Sequence, residues 1–171
     1  PYFGLRDYGV AGQIGLEDTP AAFVAVMVEV FREVRRVLRD DGTLWLNLGD
    51  SYSSGGRTTQ VIQTVRGATS RSLNGDAASG KQEYLNGTAM RPPPVAGLGS
   101  KQLLSMPWRT ALGLQDDGWY LRQDIIWSKP NPMPESVTDR PTKAHEYLFL
   151  LSKSERYYYD IDAVREPVQQ S

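Results

Sequence analysis

Cysteine is absent from the 171-residue sequence, and histidine occurs once, at position 145. The first absence excludes disulfides, thiolate catalysis and thiolate zinc sites. The second excludes a metal site built from several imidazoles. No apolar run approaches the roughly 20 residues that cross a bilayer, and no signal-peptide pattern is visible, so no membrane association is expected. These features are compatible with a cytoplasmic protein. An excess of one charge is missing too: 19 basic residues face 20 acidic ones, for a net charge of −1. A freestanding DNA-binding domain is usually basic, so the global balance argues against nucleic acid.

The distribution of charge argues otherwise. Between Ser53 and Lys101 stand Arg57, Arg66, Arg71, Lys81, Arg91 and Lys101, against Asp76 and Glu83. The acidic excess therefore lies in the rest of the chain. Hydrophobic residues make up 40% and charged ones 23%, which suits one globular domain over 1–171 with a core of ordinary size. Residues 53–100 stand apart as a polar, basic insertion rich in Gly, Ser, Thr and Asn, with Pro92-Pro93-Pro94 near its end. A loop of that length without periodicity is either functional or disordered. Basic residues among small polar ones suit phosphate contacts and carry little base-specific code.

Asp18-Thr19-Pro20 reads as a helix start, with Pro20 at the first helical position. Phe23, Met27, Val30, Val34, Val37 and Leu38 follow at helical spacing. Arg32, Arg35, Arg36 and Arg39 fall toward its end, where cations complement the helix dipole. They read as a solvated face paired with Glu29 and Glu33, with phosphate binding as the alternative. After the turn Asp40-Asp41-Gly42, the run Thr43–Gly49 predicts a central parallel strand covered on both faces, with Asp50 either facing a pocket or capping a loop. Met106–Gln115 predicts a helix with Ser105 near its cap, and Trp119–Trp127 a strand. Ser128–Pro134 is a loop, since three prolines in five positions preclude ladder bonding. Tyr147–Leu151 and Arg156–Asp160 are the last two predicted strands, and neighbouring strands with no helix between them suggest an antiparallel pair at the sheet edge. Trp108, Trp119 and Trp127 read as core, Tyr157, Tyr158 and Tyr159 as alternating across an edge strand, and His145 as bonded to a loop backbone.

The order and spacing of several blocks carry a resemblance. The chain opens Pro1-Tyr2-Phe3-Gly4-Leu5-Arg6-Asp7-Tyr8-Gly9; later come Gly118-Trp119-Tyr120-Leu121-Arg122, Asp124-Ile125-Ile126-Trp127, Lys129-Pro130-Asn131, Asp139-Arg140-Pro141 and His145-Glu146 before an apolar strand. This combination resembles the DNA amino-methyltransferases, which methylate the exocyclic nitrogen of cytosine or adenine, in the arrangement with the catalytic loop first. Pro1 and Tyr2 correspond to the end of their Ser/Asp/Asn-Pro-Pro-Tyr motif.

The resemblance implies an α/β, Rossmann-like, S-adenosylmethionine-dependent methyltransferase fold, here incomplete: the catalytic half, with an antiparallel edge hairpin. It implies catalytic roles for Pro1 and Tyr2. An exocyclic amino nitrogen is a poor nucleophile, because its lone pair is delocalised into the ring. Acceptors aimed at its hydrogens draw that lone pair toward a methyl donor. The base must first leave the duplex, and stacking on an aromatic such as Tyr2 returns roughly 1–3 kcal/mol. Residues 53–100 fall where such enzymes carry a target-recognition segment, which makes Arg57, Arg66, Arg71, Lys81 and Arg91 candidate contacts to double-stranded DNA. Lys129 and Arg140, on the proline-rich loop, join them.

One departure stands out. The family's glycine-rich cofactor loop after an apolar strand is not found; Gly97-Leu98-Gly99 follows no such strand. The expectation is a catalytic-loop half whose cofactor half lies elsewhere, with little or no activity on its own and a tendency to self-associate through an exposed sheet edge. Cytosine is the favoured target, from the Phe-Gly-Leu-Arg-Asp-Tyr-Gly continuation; adenine is the alternative. A catalytically inert DNA-binding or assembly module is the rival of another class.

Overall fold

Helix α1, Pro20–Val37, begins where the sequence places it: the Ala22 N–H donates to Thr19 Oγ1 at 3.1 Å, and Pro20 takes the first helical position. The computed structural model describes residues 2–53, 88–89 and 95–166. Pro1, Arg57, Arg66, Arg71, Lys81 and Arg91 lie outside them. The chain divides into two compact units, Pro1–Met27 with Leu48–Arg109, and Val28–Asn47 with Thr110–Ser171.

In the first unit the opening segment folds into a loop pinned at several points. Gly4 N–H donates to the Gly15 carbonyl at 2.7 Å. The Gln13 amide bridges the loop, accepting from Tyr8 N–H at 2.7 Å and donating to the Arg6 carbonyl at 2.6 Å. Phe3 is buried and meets Phe23 edge-on at 5.8 Å between ring centroids. Strand β1, Arg6–Asp7, pairs antiparallel with β3, Thr88–Ala89, the described part of the insertion's interior. The insertion's two ends are joined as well. Ser53 N–H donates to the Gln102 carbonyl, Lys101 N–H to the Ser53 carbonyl and Leu104 N–H to the Ser51 carbonyl, all within 2.9 Å.

The second unit holds a three-stranded sheet in the order β2-β5-β4, where β2 is Thr43–Asn47, β4 is Tyr120–Ser128 and β5 is His145–Ser152. Both β2 and β4 run antiparallel to β5, so β2 and β4 run in the same direction. Helix α2, Met106–Asp116, lies between them in sequence. It ends at Gly118, whose φ of 96° carries a Schellman closure: Trp119 N–H returns to the Leu114 carbonyl and Gly118 N–H to that of Gln115, each at 3.0 Å.

Four expectations are corrected here. The inner strand of the described sheet is β5, with Phe149, Leu150 and Leu151 buried, whereas β2 is an outer strand whose Trp45 is exposed. The unbroken apolar run that marks an inner strand belongs to Tyr147–Leu151. Arg156–Asp160 forms no strand: Tyr158 N–H bonds the Asp41 carbonyl at 2.9 Å, Tyr158 and Tyr159 are exposed, and Asp160 caps the short helix α3, Ile161–Val164. The antiparallel pair is β4 with β5 instead, with an irregularity at Leu121–Gln123. Trp127 is exposed on the outer strand β4, while Trp119 is buried as expected. No helix among the described residues is long and apolar enough to cross a membrane, and none of their His, Asp and Glu side chains cluster as a metal site.

Candidate active site

Tyr2 sits at the mouth of the opening loop, 58% exposed, and borders a pocket of about 340 Å³ lined with Leu5, Arg6, Tyr8, Gln13 and Ile14. That volume lies at the lower end of the range for small-ligand sites. The ring is backed by Gly49: a Cβ at that position would overlap Cε1 and Cδ1 of Tyr2 and stand 2.7 Å from Cζ. Two residues on, the Ser51 hydroxyl faces the Phe3 carbonyl at 3.4 Å. The segment after β2 is thus the bed on which the opening residues lie. Sequence reading found the Pro1-Tyr2 motif and the Thr43–Gly49 run but gave no sign of this contact, since it joins residues 47 positions apart.

Asp50, left open between pocket and cap, is a cap. One carboxylate oxygen accepts from Ser51 N–H and from Met106 N–H, each at 2.9 Å. Helix α2 has no acidic residue in its first turn, so Asp50 supplies the negative charge its N-terminus favours. Ser105 occupies the cap position with φ at 56°, and its carbonyl accepts from Arg109 N–H.

In the second unit, Glu146 gathers a polar cluster. Lys129 Nζ pairs with Glu146 Oε1, and Asn47 Nδ2 donates to Glu146 Oε2 at 3.2 Å and to the Tyr147 carbonyl at 2.9 Å. The hydrogen bond from Lys129 is the main reason the Glu146 carboxyl titrates below its ordinary range, despite partial desolvation, with smaller help from Asn47 and Lys143. His145 packs edge-to-face on Tyr147 at 5.2 Å; that ring contact takes the place of the expected bond to a loop backbone. Arg140 pairs with Glu135 at 2.5 Å. Lys129 and Arg140 are therefore engaged within the protein, in a different unit from Tyr2.

The helix arginines behave as a solvated, paired face. Arg32 bridges Glu29 and Asp117, Arg36 pairs with Glu33, Arg39 with Asp41, and Arg35 donates to the Lys153 carbonyl. Arg6, by contrast, is exposed beside Tyr2 and has no ion-pair partner among the described residues.

Comparison with known proteins bears on this arrangement directly. The family model described as DNA methylase matches residues 1–171. The chain is 53% identical over 169 residues to the Type II methyltransferase M.SmaI of Serratia marcescens, covering 98% of this chain and 51% of that protein. It is 52% identical over 166 residues to the Type II methyltransferase M.Cfr9I of Citrobacter freundii, covering 97% and 50%. The Type II methyltransferase M.SfiI of Streptomyces fimbriatus is 43% identical over 171 residues, covering all of this chain and 34% of that protein. The chain thus spans about half the length of the first two, or less for the third. With the whole of its length matched, the chain belongs to the DNA amino-methyltransferase family.

Proposed function

We propose that this chain supplies the target-base side of a site-specific DNA methyltransferase, whose reaction moves a methyl group from S-adenosylmethionine to the exocyclic amino nitrogen of a cytosine turned out of double-stranded DNA. The observation that carries the reading is Tyr2, seated on Gly49 yet open on the side of a ligand-sized pocket. A base extruded from the stack loses its neighbours, and an exposed ring is the replacement. Pro1 is assigned a catalytic role through the motif, as the residue next to Tyr2. Arg6, at the pocket edge and with no ion-pair partner among the described residues, fits the phosphate of the extruded nucleotide. The pairing of β1 with Thr88–Ala89 brings the insertion to the same loop, which supports reading Arg57, Arg66, Arg71, Lys81 and Arg91 as DNA contacts. Lys129 and Arg140 would contact the backbone by exchanging their carboxylate partners for phosphate.

The described residues do not fit the methyl donor. Gly97 has φ at 80°, a Cβ at Gly99 would meet Gln102 Nε2 at 3.7 Å, and the sequence before them, Met90-Arg91-Pro92-Pro93-Pro94, is not an apolar run. The donor site is therefore assigned elsewhere, and no step is drawn through it. A Rossmann-like sheet is supported by β2 and β4 running in one direction with α2 in their connection. Among the described residues nothing pairs with the outer edges of β2 and β4, which supports self-association of the 171-residue chain alone, and with the donor site elsewhere that chain should be nearly inactive.

The test is methyl transfer by the protein at its full natural length to duplex DNA, followed by identification of the modified nucleoside. N4-methylcytosine supports the assignment. N6-methyladenine moves the target to adenine, and transfer to no base sinks the reading in favour of an inert DNA-binding module.

A further inference from the structure

We propose that Gly49 is a positioning residue: its missing side chain is the seat that holds the Tyr2 ring in the attitude needed to stack on a target base. The inference rests on the stacking role of Tyr2 given above and extends it to a residue that touches no substrate.

Glycine has two uses, conformational freedom and lack of bulk, and here they separate. Gly49 is not among the glycines with positive φ, so its backbone is one that any residue can adopt. The ring is what excludes a side chain, since a Cβ would overlap Cε1 and Cδ1 of Tyr2. Nor can the two segments readily slide apart. On one side, Phe3 is buried with its ring against Phe23 and its carbonyl beside the Ser51 hydroxyl. On the other, Asp50 is tied to Met106 N–H, and the Ser51 carbonyl accepts from Leu104 N–H at 2.9 Å. With both backbones anchored, a methyl group at position 49 has one outlet: it turns the half-exposed Tyr2 ring off its seat.

The experiment compares four forms of the full-length protein: wild type, Gly49→Ala, Tyr2→Ala and the double variant. Each is measured for kcat at saturating DNA, for DNA affinity and for thermal midpoint. Loss of one base–aromatic stack lowers kcat by roughly tenfold or more, so Tyr2→Ala should fall by that factor. Gly49→Ala should approach it, with DNA affinity little changed. The double variant should be no slower than Tyr2→Ala alone, because no ring remains to be displaced. Losses that multiply in the double variant, or a Gly49→Ala protein as fast as wild type, overturn the role of Gly49 and leave the stacking role intact. An unimpaired Tyr2→Ala overturns the stacking role itself and Gly49's with it. If Gly49→Ala does not fold, the double variant decides: recovery of folding upholds the steric seat, and continued failure shows that Gly49 is needed for something other than Tyr2.

Discussion

The opening loop and the sheet are held by different physics. Around Tyr2 the structure depends on single contacts: one glycine under a ring, one amide spanning Arg6 and Tyr8, one carboxylate shared by two backbone N–H groups. The sheet depends on summed ones, two ladders flanking β5 and the buried run Phe149-Leu150-Leu151. Apolar burial is non-directional and tolerates replacement of one hydrocarbon by another of similar volume. A seat for a ring or an acceptor for an N–H tolerates almost none. The loop is thus the region where side chains matter one by one, as is common where loops carry function.

Substitutions can break or sharpen that contrast. The largest effect on stability is expected in the sheet: Phe149→Ala removes a fully buried ring and should cost about 3–5 kcal/mol in a urea unfolding curve. Phe149→Leu should cost much less, and equal costs would show that shape rather than bulk governs the sheet too. Next is Asp50→Ala, which strips two N–H groups of their acceptor and should cost about 1–2 kcal/mol. Asp50→Asn keeps an acceptor and should restore most of it; no recovery would make charge, not hydrogen bonding, the reason for Asp50. Gln13→Ala should move the unfolding midpoint little. Its mark should be local, as faster amide exchange confined to the opening loop, and unchanged exchange would show that Gly4–Gly15 closure suffices.

The smallest effect is electrostatic. Because Lys129 holds the folded-state Glu146 carboxyl below its ordinary value, the pair's stabilisation is present above pH about 4.3 and is lost as pH falls through the lowered folded value. Both side chains are over a third exposed, so the gain is below about 1 kcal/mol. Glu146→Gln should unfold with a shallower loss of midpoint between neutral pH and pH about 3. Equal slopes would mean that Lys129 contributes nothing to the frame.

Sequence reading reached different depths in the two regions. Helix α1 was legible because its signals are local: Thr19-Pro20 at the start, apolar residues at helical spacing, arginines toward the end. The strands at Tyr120–Ser128 and His145–Ser152 were found within a residue or two for the same reason. Their arrangement was not, since an apolar run says that a strand is inner without saying which neighbours flank it; Thr43–Gly49 and Tyr147–Leu151 competed for that place. The three tyrosines at 157–159 suggested a strand from composition, yet the backbone there serves the Asp40–Asp41 turn and the cap of α3. At the site, Tyr2 was recognised from its motif and Asp50 was singled out with its role open. Gly49 passed as an ordinary strand-end glycine, because a steric vacancy beneath a distant ring leaves no trace in the residues next to it.

The hydrogen bonds that join Ser51 and Ser53 to Lys101–Leu104 have a consequence for how sequence change in the insertion would be tolerated. They join the two ends of the insertion to each other by backbone hydrogen bonds that any side chain there would allow. The segment is, in effect, a cassette in a socket. Descendants could exchange it, lengthen it or rewrite its arginines while Tyr2, Gly49 and the sheet stayed as they are, provided that the short pairing of β1 with Thr88–Ala89 were kept or replaced. If the proposed function holds, exchange of this segment would alter which DNA sequence is met while the Tyr2 loop was kept.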